Sequence, residues 1–351
     1  MAELPKEAPG QVALFVFQRP GISSLAGGFI GKSGLIRNLA FILIAVFIVM
    51  ATLISPVQAA TVNTFFLYKL SDFTGVTSYM GGKMHIDRDR NETYVLYQNT
   101  VKVYNDKGME IYRFGDSENL GRIQDLAVDR EGYILILSYI EKGHDLDMVI
   151  IRCNYRGDPI GRTAITGIPS DFSEFHPGTM VYRDGRIYLA DTATLRIAVI
   201  DMNGQVQKSI DLLPIMELKE KDRGDVQMGG FSVDTAGNIL FTLPVLFSAT
   251  VLSPDGKVSS FGEPGSLPGK FGVVSDITRD NRGNIFVADR LKSVVNVYDS
   301  SFKFLLEVGG RGNAPGSLVV PQALAIDADD RLYVTQLANR GVSVFRLLYY
   351  N

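Results

Sequence analysis

The chain has 351 residues, 46% hydrophobic and 21% charged, with 35 glycines, no tryptophan and a net charge of −3. That is enough apolar surface for two ordinary domains or one large repeat assembly. The acidic balance gives no general attraction to a phosphate backbone, so nucleic acid is set aside as a partner.

In chain order, residues 1–37 read as a leader or cytoplasmic tail, and residues 38–59 as a signal peptide or transmembrane anchor. The core of the second segment is Leu39–Ile54, LAFILIAVFIVMATLI, free of charges and helix breakers. Lys32 and Arg37 precede it, and Val57 and Ala59 supply small residues at −3 and −1 of a cleavage point after Ala59. An uncleaved anchor, lengthened by Ser55 to Ala60, is the other reading. In both cases the basic flank stays in the cytoplasm. The bulk of the chain is therefore expected to be exported: periplasmic, extracellular or membrane-anchored with the membrane contacted through this helix. The leader and apolar run hold four basic and two acidic residues, so the exported part carries −5.

From residue 61 onward one unit recurs. Residues 273–299 read VVSDITRDNRGNIFVADRLKSVVNVYD: a strand, an Asp-x-x-Gly turn, an alternating run ending in Val-Ala-Asp, and a further alternating run. Copies open their first turns at Asp87, Asp129, Tyr182, Asp234, Asp280 and Asp327, at intervals of 42 to 53 residues. A period of that size marks a solenoid or propeller. Each copy reads as four short strands, with a second turn at Asn105, Asn154, Asp201 and Ser253, and DSSF in the fifth copy. The expected fold is all-β, a six-bladed β-propeller, with blades over 83–115, 119–166, 174–212, 226–265, 270–312 and 316–348. The sixth copy is one strand short, and Thr61–Leu70 (TVNTFFLYKL) is a strand without a blade. Pairing the two would close the ring.

GNIFVAD at Gly283–Asp289 and RIYLAD at Arg186–Asp191 resemble the NHL repeat, a family in which a Val-Ala-Asp strand recurs in each blade. The resemblance covers about 270 residues and implies the propeller, with many unrelated activities open to it. The missing Trp-Asp ending argues against WD40 repeats.

In a propeller the one-to-two and three-to-four turns share one face. The two-to-three loops and blade connections share the other, around the wider mouth of the channel. The inserted length here falls on the mouth face: Tyr139–Asp147, Thr166–His176, Leu212–Val226 and Gly309–Val320. Candidate ligand residues at the mouth are Gln124, Asp125, His176, Ser275, Asp276 and Gln322, just before each first strand. Candidate partner-face residues are Glu217, Lys219 and Asp222 in the charged run ELKEKDRGD. No cofactor is evident. The resemblance extends to lyases with several rim histidines, of which only His176 is matched, and to calcium lactonases, where Asp125 and Asp276 fit loosely. Calcium or zinc at the channel therefore stays open. His85, His144 and His176 lack the spacing of a local metal site, and DRDRNE at Asp87 lacks the glycine of a calcium loop. Cys153 excludes an intrachain disulfide and reads as a small buried hydrophobe. The expected function is an exported binding or scaffold module for a protein, peptide or extracellular polymer. A metal-dependent hydrolase or lyase at the channel mouth is the alternative.

Overall fold

The alternating runs pair into six four-stranded antiparallel sheets, the blades of a β-propeller, in the computed structural model. It describes residues 61–78, 81–115, 118–143, 145–172 and 174–350. The leader over 1–37 and the signal or anchor over 38–59 lie outside them. Among the described residues no helix is long and apolar enough to cross a membrane.

Blades one to five run outward from the channel in sequence order, with strand one innermost. The middle strands are apolar on both faces because each face meets a neighbouring blade. In blade two, Ile134 and Ile136 enter the core shared with blade one, while Leu135 and Leu137 enter the core shared with blade three. Six such inter-blade cores run around the ring among the described residues. Cys153 lies in the first of these seams, where burial pushes its thiol up to about 12.

The turns between strands one and two repeat one hydrogen-bond device. Asp129, Asp234, Asp280 and Asp327 each accept two backbone N–H bonds of their own turn at one carboxylate oxygen. Blade three departs from this pattern, and its first turn opens one residue later than the repeat spacing places it. Arg183 pairs with Arg186 across a two-residue turn, Asp184-Gly185, with φ of 49° and 74°. The residue in the position of the repeated aspartate is therefore Arg183, not Tyr182. In the outer turn of blade five, Phe302 adopts φ of 65° where other blades use glycine. Its ring stacks on Phe261 with centroids 4.8 Å apart, a contact that offsets the strain.

Blade six draws its strands from both parts of the chain. Pro321–Ile326, Arg331–Gln336 and Val342–Tyr350 supply three, and Thr61–Lys69 pairs with the last of these, from Thr61 opposite Tyr350 to Lys69 opposite Ser343. Val62 is buried in the seam with blade five, and Phe66 packs edge-on against Phe345 at 5.8 Å.

Candidate binding site at the channel mouth

An innermost strand has no ladder partner on its channel side, so its N–H and C=O groups must find other partners. Side chains of the neighbouring blades supply them. Asp125 Oδ2 accepts from Met180 N of blade three at 2.9 Å, and Asp276 Oδ2 from Leu324 N of blade six at 2.7 Å. Asp276 also takes the amides of Ile277 and Phe231, so it ties blades four, five and six together. Gly230 makes this possible, because a Cβ there would stand 2.4 Å from both Asp276 Cα and Oδ1. His85 Nε2 accepts from Val128 N at 3.1 Å, and burial lowers its pKa to about 4, which keeps the ring a neutral acceptor.

A local irregularity aims these residues. Strand one carries a β-bulge at Ile123/Asp125, at Val274/Ile277 and at Pro321/Leu324, and the extra residue re-aims its neighbours toward the channel. As a result Gln124, Asp125, Asp276 and Gln322 line one cavity of about 490 Å³, together with Lys83 and Arg290. The two-to-three loops of blades one, three and five contribute Gln98, Thr192 and Arg290 to the same lining, so this end is the mouth.

Two of the sequence candidates do not join. Ser275 is fully buried, and its hydroxyl donates to Pro321 O at 2.9 Å behind the channel wall. His176 is exposed, with its ring 6.5 Å from that of Tyr139 and its backbone N–H held by Asp191. Asp191 and Asp289, the ends of the Val-Ala-Asp strands, each bond a two-to-three loop and the approach to strand one. They are structural clamps.

Sequence reasoning singles out neither Lys83 nor Arg290, and it reads His85 only as lacking the spacing of a local metal site. Lys83 occupies in blade one the place that Asp125 and Asp276 take in blades two and five, and stacking the copies would have found it. Its Nζ donates to Gly178 O and lies 3.6 Å from Asp125 Oδ2. Desolvation raises the pKa of both channel carboxyls, against the pull of Lys83 on Asp125. Asp276 is pushed up to about 7 by burial, with a smaller contribution from the charge of Asp125. Gln322 Nε2 and Arg290 Nε are buried with no hydrogen-bond partner.

Around the mouth, the length placed in Tyr139–Asp147 is not a loop but a hairpin of two nine-residue strands, Ile134–Lys142 and Asp145–Cys153. The stretch after blade three is braced from within: Arg223 binds Asp211, Glu220 and the Thr194 carbonyl. Glu217 and Lys219 are exposed, whereas Asp222 accepts from Lys219 N at 3.0 Å. Among the described residues no three of His, Cys, Asp or Glu gather as a metal-binding group.

No family model and no curated protein matches the chain. Solved structures do. A protein of unknown function from Bacteroides thetaiotaomicron has a TM-score of 0.57 at 12% identity over 82% of this chain and 76% of its own. An auxiliary nutrient binding protein from Bacteroides ovatus gives 0.54 at 12% over 83% and 78%. A luciferin-regenerating enzyme gives 0.52 at 11% over 82% and 95%. Likeness at this identity shows the fold alone. It includes binding proteins and enzymes.

Proposed function

We propose that the chain is an exported binding module of NHL-repeat type, whose mouth face holds an acceptor-rich segment of a protein, peptide or extracellular polymer. The observation that carries this reading is the division of labour at the mouth. The carboxylates Asp125 and Asp276 are already engaged with backbone amides, and the groups without partners among the lining residues, Gln322 Nε2, Arg290 Nε and the Ser232 hydroxyl, can all donate. Such a site suits a ligand that brings oxygen acceptors better than a metal that needs free ones. A binding protein among the structural neighbours is consistent with it. Export rests on the apolar run and its basic flank.

The alternative, a metal-dependent hydrolase or lyase, draws on one observation: Asp276 is held near neutrality beside a cavity. Array binding of the full chain to extracellular glycans and peptides tests both. Capture that is lost in Arg290→Ala and Gln322→Ala supports the binding module. A tightly retained metal, with turnover abolished by Asp276→Asn, would establish the enzyme instead.

A further inference from the structure

At the opposite end of the channel, the position that holds Asp in five blades holds Arg183 in blade three, and Arg88 follows the equivalent Asp87 of blade one. Arg88 donates through Nε and Nη2 to Ile326 O at 3.1 and 2.9 Å and through Nη1 to Asn281 Oδ1 at 3.1 Å. Arg183 Nη2 donates to Val233 O at 2.9 Å. The ion pairs nearby join other residues: Asp87 with Arg90, Asp129 with Arg152, Asp234 with Arg279 and Asp327 with Arg331. Neither Arg88 nor Arg183 has a carboxylate partner among the described residues. Burial lowers the proton affinity of Arg88, and the charge of Arg183 lowers it further, which places the two cations close together.

Arg88, Arg183, Arg279 and Ser232 line a small recess of about 30 Å³. Three polar atoms of this lining are buried without a partner: Arg183 Nε, Arg279 Nε and Ser232 Oγ. The two carboxylates in the wall are occupied elsewhere. Asp234 is held by Arg279 Nη1 and Asn238, and Asp280 by Asn284, Tyr349 and its own turn amides. The recess shares Arg88, Arg183, Thr235 and Asn281 with a wider vestibule of about 1040 Å³, in which Asp89 and Asp184 are exposed.

We propose that this recess binds a carboxylate group, whose two oxygens take the free donors of Arg183, Arg279 and Ser232 while the remainder of the ligand occupies the vestibule. The recess has space for roughly one or two water-sized groups, which suits a planar carboxylate better than a tetrahedral sulfate or phosphate. The planar guanidinium fork matches a carboxylate in geometry as well as charge. Ser232 borders both this recess and the mouth cavity, but the arginines Arg88, Arg183 and Arg279 belong to the recess and not to the mouth, so the proposal does not rest on the function proposed at the mouth.

The test compares the melting temperature of the full chain in sodium acetate with that in sodium chloride at equal ionic strength. A ligand that binds only the folded state gives a saturable, acetate-specific rise. That rise should need about tenfold more acetate, or vanish, in Arg183→Asp, which installs the residue five other blades carry. Arg88→Gln, a second variant in case the first does not fold, should behave alike, and Lys83→Met at the mouth should leave the rise unchanged. A short oligo-uronate in place of acetate separates a polymer ligand, held more tightly, from a free acid, held equally. No acetate-specific rise in the wild type, or an equal rise in both arginine variants, overturns the proposal.

Discussion

The two ends of the central channel solve the same problem with opposite chemistry. Strand one leaves unpaired amides and carbonyls facing the channel. At the mouth, carboxylates take the amides: Asp125 serves Met180, and Asp276 serves Leu324. At the far end, guanidiniums serve the carbonyls: Arg88 on Ile326 and Arg183 on Val233. The difference lies in what is left over. Asp276 meets three amides with two oxygens, whereas a guanidinium carries five N–H donors and keeps some in hand after its backbone duty. Acidic residues at a channel are therefore weak signs of a ligand site when they face strand edges. Basic ones with idle donors are stronger signs.

The comparison presumes a closed ring, and the largest expected effect comes from opening it. Deleting residues 61–70 removes the fourth strand of blade six and exposes the edge of Val342–Tyr350. The truncated chain should aggregate or lose its cooperative melting transition. An unchanged melting curve would show that this strand does not hold the ring.

The next test breaks the carboxylate half. Asp276→Ala leaves the amides of Leu324 and its neighbours buried without an acceptor, at a cost of about 1–3 kcal/mol each in part. Asp276→Asn keeps an acceptor and should cost less. Asn also fixes the pH behaviour. The carboxyl of Asp276 sits at about 7 when folded, above its ordinary value of about 3.9. The folded state then binds the extra proton, so its contribution is full below about pH 4 and is lost as pH rises through about 7. The melting temperature of wild type relative to Asp276→Asn should fall between about pH 4 and 7 and level off above that. A difference that stays flat or grows would mean the group is ionised throughout.

A smaller effect is expected from Lys83→Met. It removes a donor from Gly178 O and the nearest cation from Asp125, which should cost about 1 kcal/mol in chemical denaturation. Smallest of all in stability is Glu217→Ala with Lys219→Ala, both exposed, within about 0.5 kcal/mol of wild type. The same double change should weaken capture of a mouth ligand, more so at low salt. Asp106→Ala with Lys107→Ala, in an outer turn at the other end, should change neither.

Much of the architecture was legible because each blade repeats a local grammar. The turn aspartates, the glycines with positive φ and the two-residue alternation are all set within a few residues of one another. Blade three is less legible by one position, because its two-residue turn is a residue shorter than the others and Arg183 stands where the other blades have aspartate. The site was less legible. Ser275 and Asp276 are adjacent in sequence, yet a bulge sends one behind the wall and the other into the channel. Whether a carboxylate is free or engaged depends on a strand from the next blade, such as Met180 for Asp125, 55 residues away. Sequence spacing carries no record of that meeting.

The mixed origin of blade six has a consequence for how the molecule is made. Of the described residues, Thr61–Lys69 leaves the ribosome first and its partner Val342–Tyr350 last, so the pairing that shuts the ring spans nearly the whole domain. Contacts of such sequence separation raise contact order and slow folding, since loop closure must precede any gain from the pairing. Earlier blades have their neighbours as soon as they are synthesised, but blade one cannot bury the face it shares with blade six until the final strand arrives. The latch that stabilises the finished ring also keeps the unfinished one pliable.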